Sequence, residues 1–325
     1  MARFPISDHC DGERFFNPHG SGPRPIKDVV AWQRTRQKAV WPTSVPLRPQ
    51  APPPHDVAPG RAAVTFIGHS TFLIRTAAAA FVTDPVFTTH AGPFGRTGPR
   101  RVRPPALAIA DLPPLNLVLL SHNHYDHFQP SSLRGVARRG RPSIVTALGL
   151  GPVVSPLGFS SAAELDWWQT HEVAGVRVTS VPAQHFSART PWDRDRTLWT
   201  GFIVESGGVT IYFAGDTGYS PDFREIGKRF PNIDVALIPI GAYEPRWFMQ
   251  PVHANPEEAV RIHLDVRARR SIGMHFGTFQ LTDEGIEEPL QALERARIEH
   301  GVSADAFRVL DFGETCIVAA DGERT

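Results

Sequence analysis

The stretch SHNHYDH, at residues 121–127, constrains this chain more than any other, because four potential metal ligands fall within six residues. The mostly apolar run at 115–120 precedes it and has the composition of a buried strand. Side chains repeat every second residue along a strand, so His122 and His124 should share one face at its end. The aspartate and histidine that follow fall in the next turn. The stretch therefore predicts a strand that ends in a metal site with ligands for a second ion.

Composition indicates one large soluble domain, since the 325 residues are 41% apolar and 21% charged. The net charge of +1 gives no reason to expect a nucleic-acid partner. The two cysteines, Cys10 and Cys316, cannot form a disulfide framework and indicate a reducing compartment. The chain starts without an apolar signal core and has no run of about 18 apolar residues. We predict a cytoplasmic protein, and leave open peripheral contact with the inner face of a membrane and a homodimer.

The chain divides near residue 54. Residues 1–45 are polar, with a helical pattern at 26–40, and a proline-rich stretch at 46–59 should be extended. We predict that residues 1–54 form an extension laid over a main domain at 55–325, because they are too few and too polar to hold a core. From residue 61, strand patterns cluster and then alternate with helical patterns, which favours a layered α/β sandwich. No strand is predicted between residues 147 and 176.

Three more candidate ligands follow predicted strands farther along the chain. They are His185, Asp216 and His275, and glycines beside the last two allow close backbone approach. Chance could place one such residue at a strand end, but four strand ends that carry ligands favour one shared site. Histidine and carboxylate are the ligand types expected for zinc or a similar metal. The pattern therefore predicts a hydrolytic centre with two metals.

These motifs resemble the metallo-β-lactamase superfamily, with HxHxDH, a later histidine, an aspartate in Gly-Asp-Thr-Gly and a final histidine. The runs at 213–219, 238–249 and 256–263 are similar to those of N-acyl-phosphatidylethanolamine-hydrolysing phospholipases D and their bacterial relatives. The resemblance covers about residues 60–315. It implies an α/β fold, a four-layer αβ/βα sandwich with metals at one edge between two sheets, here preceded by the N-terminal extension.

The resemblance also implies a ligand set. The first metal is expected on His122, His124 and His185, the second on Asp126, His127 and His275, and Asp216 is expected to bridge both. Two Zn²⁺ per chain are the expected cofactors, and other divalent metals suit the same ligands. The predicted catalytic residues are Asp126, Asp216 and His253. Asp216 would hold a hydroxide that attacks phosphorus, and His253 would give a proton to the leaving alkoxide.

Other residues are predicted to support this centre. Asp84 and His69 would orient ligand histidines, although Asp84 could instead cap a turn and His69 could simply pack. Aromatic side chains could line a lipid groove, with ordinary core packing as the alternative. The groove candidates are Trp167, Trp168, Trp192, Tyr243, Trp247 and Phe248.

The leading prediction is a zinc-dependent phosphodiesterase that hydrolyses N-acyl-phosphatidylethanolamine to N-acylethanolamine and phosphatidic acid. The alternative within the same fold is a two-metal hydrolase of another phosphodiester, a cyclic phosphate or a lactone. A metal-binding scaffold without turnover is disfavoured by the full ligand complement. A di-iron redox protein is disfavoured because, by resemblance, an acidic residue would stand in place of His124.

Overall fold

Two seven-stranded sheets form the centre of the molecule in the computed structural model, which describes residues 3–20 and 24–320. The first sheet comprises β1 (Arg61–Gly68), β2 (Thr71–Thr76), β3 (Ala80–Thr83), β4 (Leu117–Leu120), β5 (Ser143–Ala147), β6 (Ala162–Leu165) and β14 (Thr315–Ala319). The second comprises β7 (Thr170–Val173), β8 (Val176–Val181), β9 (Gly201–Ser206), β10 (Val209–Phe213), β11 (Val235–Pro239), β12 (Arg270–Met274) and β13 (Phe307–Arg308). Their spatial orders are β14-β1-β2-β3-β4-β5-β6 and β13-β12-β11-β10-β9-β8-β7.

Helices flank the sheets. The described residues form α1 (Ile26–Thr35), α2 (Pro130–Ala137), α3 (Gly151–Val154), α4 (Asp222–Arg229), α5 (Arg246–Met249), α6 (Pro256–Asp265) and α7 (Glu288–Glu299). Apolar side chains of α2 and α3 pack against the first sheet, and those of α4, α6 and α7 pack with the second. These layers agree with the predicted αβ/βα sandwich. None of the described helices has both the length and the apolar character that a membrane crossing needs.

Strand β4 shows why the ligand-bearing segment begins with an apolar run. Leu117 and Leu119 belong to the core that both sheets share, whereas Val118 and Leu120 pack in a second core with α2. All four side chains are fully buried. A strand covered on both faces is expected to be apolar at every position rather than at alternate ones. The strand therefore holds the ligands that follow it between two cores.

Each sheet is antiparallel in one half and parallel in the other. Strands β3 to β6 run parallel to their neighbours, as do β10 to β13. The remaining neighbours are antiparallel. Carboxyl ends of parallel strands meet at one edge of a sheet, where the following loops can form a site. Strands β4, β10 and β12 each end at such an edge shortly before a candidate ligand.

The structure differs from the sequence prediction in two places. Helix α1 ends at Thr35, not at residue 40, because the chain after it is extended and Ala39 hydrogen bonds with residues 280 and 283. No strand was predicted between residues 147 and 176, yet β6 pairs with β5 and β7 pairs with β8. Strand β6 has the sequence AAEL, whose alanine and glutamate have low strand propensity, so pairing with β5 decides its conformation.

The N-terminal extension lies against the main domain. The indole Nε1 of Trp32 donates to Asp283 Oδ2 at 2.9 Å, and Arg36 Nε pairs with Asp283 Oδ1 at 2.7 Å. The indole of Trp41 donates to the carbonyl of Glu284 at 2.8 Å. These bonds hold α1 beside residues 282–284. The boundary at residue 54 stays a prediction.

Candidate metal centre

Three histidine nitrogens meet where β4 and β8 end. His122 Nε2 lies 2.9 Å from His124 Nδ1, which lies 3.1 Å from His185 Nε2. The rings of His122 and His185 are buried, and His124 reaches the surface of a cavity. His185 Nδ1 donates to the Val252 carbonyl at 2.8 Å, which turns Nε2 toward the other two rings. Three nitrogens in this arrangement could hold one metal ion.

A second group of ligand atoms lies beside the first. Asp126 Oδ2 lies 3.3 Å from His275 Nε2 and 3.6 Å from His127 Nε2. His69 Nε2 also approaches the same oxygen, at 3.0 Å. His69 and His275 both have positive φ angles, 58° and 61°, which is uncommon outside glycine. The His275 amide donates to the His69 carbonyl at 2.9 Å, so the two strained residues support each other.

The carboxylate of Asp216 faces both groups. Its Oδ2 lies 3.1 Å from His127 Nε2 and 3.1 Å from His275 Nε2. The same oxygen is 4.0 Å from His122 Nε2 and 3.9 Å from His185 Nε2. Asp216 follows β10 in the turn Gly215–Asp216–Thr217, and Gly215 has a φ of 62°. One carboxylate thus stands between two sets of nitrogen and oxygen donors.

The donor set suits metal binding. Both His127 Nε2 and Asp216 Oδ1 are buried and lack a hydrogen-bond partner. Leaving such atoms unpaired away from water is unfavourable, and a bound cation would satisfy them. Imidazole nitrogen and carboxylate oxygen are also the ligands that zinc and similar divalent metals take. The structure therefore brings all seven predicted ligands together in a form that fits metal ions.

Asp84 orients two of these histidines from behind. Its Oδ2 accepts hydrogen bonds from His127 Nδ1 at 2.6 Å and from the Ser121 hydroxyl at 2.5 Å. The Ser121 oxygen lies 2.8 Å from His122 Nδ1, and the Ser121 amide donates to Asp84 Oδ1 at 2.7 Å. Binding at Nδ1 leaves Nε2 of both rings directed at the centre. The geometry is what the proposed orienting role of Asp84 requires.

The local electrostatics separate the histidines into two kinds. Burial lowers the pKa of His124 to about 3 and that of His185 to about 4, and it lowers the pKa of His122 well below its usual value. Although burial opposes protonation of His127 and His275 too, Asp216 and Asp126 raise the pKa of His127 well above normal and that of His275 to about 9. Without a metal, the two carboxylates therefore favour the protonated form of these two rings. Metal binding would release those protons.

A cavity of about 440 Å³ opens beside the ligands. His124, Asp126, Asp216 and His253 form its polar end. Its volume lies in the range typical of small-molecule sites. Most of the remaining wall is apolar, and α1, α5 and the loop at 186–194 contribute part of it. The apolar lining includes Val29, Trp32, Phe186, Pro191, Phe248, Met249, Val252 and Leu281.

Of the six aromatic groove candidates, all in the described part of the chain, Phe248 lines this cavity. Its ring stacks on Trp32 with centroids 4.8 Å apart. Trp167 is instead buried in the core beside α2 and donates to the Trp199 carbonyl at 2.9 Å. Trp168 packs at the edge of the core under the guanidinium of Arg229. The prediction for both tryptophans needs correction, because β6 and β7, which flank them, hold them away from the centre.

The other three candidates also lie outside the cavity wall in the described structure. Trp192 is 78% exposed on the loop at 186–194, although its neighbour Pro191 does line the cavity. Tyr243 is buried. Trp247 lines a neighbouring cavity of about 330 Å³, and Trp32 lines both cavities. Trp32 thus contributes to the walls of both cavities.

Several residues of the centre were missed in the sequence. Ser121 and Phe186 adjoin the ligands His122 and His185, so adjacency alone could have marked them. Asn17 could not be found that way, yet its side-chain amide donates to the His185 carbonyl at 2.7 Å and its oxygen accepts from the Trp199 indole at 3.1 Å. The extension also supplies Arg24, Val29 and Trp32. No motif marks these residues.

Comparison with known proteins agrees with this geometry. A family model described as a beta-lactamase superfamily domain matches residues 80–276. The chain belongs to the metallo-β-lactamase superfamily. This superfamily membership and the predicted fold are thereby confirmed, and the protein is a metal-dependent hydrolase.

Relatives within the superfamily include two that are named as phospholipases. The chain is 37% identical to the N-acyl-phosphatidylethanolamine-hydrolyzing phospholipase D 1 of Caenorhabditis elegans over 264 residues. The matched region covers 77% of this chain and 74% of that protein. It is 34% identical over 238 residues to the mitochondrial N-acyl-phosphatidylethanolamine-hydrolyzing phospholipase D of Saccharomyces cerevisiae. That match covers 71% of this chain and 50% of the yeast protein. The solved structure of Igni18, a metallo hydrolase from Ignicoccus hospitalis, superposes with a TM-score of 0.59 at 23% identity. The superposition covers 79% of this chain and 98% of Igni18. The branch of the superfamily predicted from the motifs is confirmed.

Proposed function

We propose that this protein is a two-zinc phosphodiesterase of the phospholipase D type, which hydrolyses N-acyl-phosphatidylethanolamine to N-acylethanolamine and phosphatidic acid. The observation that carries the proposal is the position of Asp216, whose Oδ2 lies within 4.0 Å of nitrogens from both ligand groups. A shared carboxylate is what two neighbouring ions require. The similarity to two proteins named as N-acyl-phosphatidylethanolamine-hydrolysing phospholipases supports the substrate.

Each metal would take three ligands of its own and share Asp216. The first would be held by His122, His124 and His185, and the second by Asp126, His127 and His275. When bound, two such ions lower the pKa of a water molecule and stabilise negative charge on a phosphoryl group. Asp84 holds His127, and through Ser121 also His122, in the orientation that ligation needs. The Val252 carbonyl does the same for His185.

His253 is the proposed proton donor. Its ring centroid lies 5.0 Å from that of His185 and 5.6 Å from that of His275, and the side chain lines the cavity. Its Nδ1 is buried without a hydrogen-bond partner. Burial lowers its pKa in the free protein, but the negative charge of a bound phosphodiester would favour the protonated ring. In the proposed reaction a water oxygen bonds to phosphorus as the phosphorus–oxygen bond to the ethanolamine breaks, and His253 gives its proton to the leaving oxygen.

The cavity also indicates how a lipid would be placed. Its volume of about 440 Å³ suits a small molecule, so we propose that a head group and part of an acyl chain enter while the rest of the lipid stays in a membrane or micelle. This arrangement requires peripheral contact with a membrane, and a cytoplasmic protein would meet its inner face. The same small volume favours the second candidate function, which is hydrolysis of a smaller phosphodiester, a cyclic phosphate or a lactone.

The test is a mass-spectrometric assay of the purified, metal-analysed protein on N-acyl-phosphatidylethanolamine in mixed micelles. We expect release of N-acylethanolamine that a chelator stops and that zinc restores. Asp216→Asn should lower both metal content and the rate by orders of magnitude. The matched control is Asp311→Asn, which changes an exposed aspartate paired with Arg48 and should keep full activity.

Two outcomes would contradict parts of the proposal. A protein with two bound metals that releases no N-acylethanolamine would refute the lipid substrate and move the search to smaller phosphodiesters and lactones. An Asp216→Asn variant with full metal content and full activity would refute the bridging role.

A further inference from the structure

Arg24 is a half-buried cation at the cavity, and the described structure shows no ion pair for it. Its side chain lines the cavity that contains His124 and Asp216, and its Nε is buried and makes no hydrogen bond. Within the described residues, no carboxylate pairs with it. Burying part of an unpaired guanidinium is unfavourable unless an anion compensates it. Arg24 can therefore bind a negatively charged group, and none of the described carboxylates forms an ion pair with it.

Arg194 brings a second guanidinium to the same wall. Its Nη2 donates to the Arg24 carbonyl at 3.3 Å, which joins the loop at 186–194 to the extension. Its guanidinium carbon lies 5.8 Å from the ring centroid of Phe186, which in turn lies 4.5 Å from the His124 ring. One aromatic ring thus separates this cation from a candidate metal ligand.

The charges on this wall do not balance. Arg194 Nε pairs with Asp195 Oδ2 at 3.7 Å, and Asp195 does not line the cavity. The described acidic residues that line the cavity are Asp126 and Asp216, both of which belong to the proposed metal ligands. With two divalent ions bound, the metal charge would exceed that of the two carboxylates, and the two guanidinium groups would add to this positive excess. The cavity therefore presents a positive wall next to the proposed site of phosphodiester cleavage.

We propose that Arg24 and Arg194 form an anion subsite that binds a second negatively charged group of the substrate, a carboxylate or a phosphate, close to the scissile phosphodiester. This inference rests on the proposed function and extends its substrate class to phosphodiester lipids with a second negative group, which N-acyl-phosphatidylethanolamine lacks. The planar guanidinium fork matches carboxylate and phosphate oxygens and can bind them with two parallel hydrogen bonds. Neither residue lies in the predicted metal centre, and Arg24 precedes the region matched by the superfamily model.

Two matched lipid pairs test the subsite and separate its two ligand types. N-acyl-phosphatidylserine differs from N-acyl-phosphatidylethanolamine by one carboxylate, and phosphatidylglycerol phosphate differs from phosphatidylglycerol by one phosphate. Each lipid is offered at equal mole fraction in neutral-detergent micelles, and kcat/KM is measured by mass spectrometry. We expect the charged member of at least one pair to be preferred by about tenfold or more, as charge-assisted hydrogen bonds allow. The pair that shows the preference identifies the group.

Substitution of the arginines locates the effect. In Arg24→Gln and in Arg194→Gln the preference ratio should fall toward one, and the lysine variants should keep part of it. The matched control is Arg177→Gln, which changes an exposed arginine of β8 paired with Glu205 and should leave the ratio as in the wild type. Metal content and melting temperature show that each variant is folded. If the preference for the charged lipid survives both glutamine substitutions, the metals and not the arginines bind the second negative group, and the proposed subsite is refuted.

A binding measurement keeps this test separate from that of the proposed function. Titration calorimetry of the metal-loaded protein with dihexanoyl forms of the four lipids gives the affinity ratio of each pair without turnover. Preferential binding that both glutamine variants lose, without any hydrolysis, would support the subsite and refute the phosphodiesterase. Hydrolysis with equal use and equal binding of both members of each pair would refute the subsite alone.

Discussion

The candidate ligands and the cavity wall next to them come from different kinds of chain segment. The ligands follow strands of two sheets, and buried strands such as β4 hold them between packed cores. Much of the wall comes from α1, which precedes the matched superfamily region, and from the loop at 186–194. The chemistry of the centre is therefore tied to the core of the fold. Part of the cavity wall is built by segments outside that core.

The largest effect is expected at the polar end of the cavity. His253→Ala should lower turnover of an unactivated phosphodiester by about 10²-fold to 10⁴-fold while both metals stay bound, because the leaving oxygen loses its proton donor. Rate and metal content are measured on the same preparation. The control is His300→Gln, a surface histidine near Glu257, which should behave as wild type. Unchanged turnover in His253→Ala would remove it as the acid.

The next effect concerns the support behind the ligands. Asp84→Asn should weaken metal binding by about 10-fold to 100-fold, because both the charge and the fixed orientation of His127 are lost. A competition titration with a coloured chelator measures this affinity, with Asp311→Asn as the exposed control. Wild-type affinity in Asp84→Asn would mean that the strand ends alone position the ligands.

A smaller effect is expected at the wall. Trp32→Ala should join the cavities of about 440 and 330 Å³ and shift selectivity by about tenfold toward bulkier acyl groups, since a side-chain-sized change in an apolar pocket has effects of that order. Relative kcat/KM for short and long acyl chains measures the shift. Metal affinity should stay the same. Trp192→Ala removes an exposed indole and serves as control; equal selectivity in the two variants would show that Trp32 is not a size-limiting wall.

The smallest effect is on stability against pH. In the metal-free protein, His275 has a raised pKa of about 9. Its protonated ring therefore stabilises the fold fully at pH values below the pKa of the unfolded chain, near 6.5, and this contribution is lost as the pH rises toward 9. The lowered pKa values of His124 and His185, about 3 and 4, make the fold less stable as pH falls below about 6.5. Thermal melts should therefore show a maximum near neutral pH. Zinc should flatten the alkaline side, since it takes the place of the protons; a monotonic profile without metal would contradict this balance.

Sequence reasoning reached the metal centre because strand periodicity and ligand chemistry are both local. The seven ligand candidates were named from their place after apolar strands, and the superfamily and fold are confirmed. Their assignment to particular metals is still a prediction. Strands β6 and β7 were not predicted from the sequence, because pairing with neighbouring strands, more than composition, makes them strands.

The residues of the cavity wall could not be predicted from the sequence for a different reason. Trp32 and Arg24 have no motif, and their position depends on long-range bonds such as that from Trp32 to Asp283. Trp167 and Trp168 were predicted to line the groove because they are adjacent tryptophans, but such residues pack in cores as readily as they line grooves. Contacts between segments far apart in sequence carry no local periodicity, so they become visible only in the folded molecule.

The distribution of ligands over the two sheets has a mechanical consequence. His122, His124, Asp126 and His127 follow a strand of the first sheet, whereas His185, Asp216 and His275 follow strands of the second. Ions held by both sets would link the two sheets, and because they bind the folded chain and not the unfolded one, they would stabilise the fold. A loaded centre would then act as a clamp that slows separation of the two halves, so that the rate of unfolding would report metal occupancy directly.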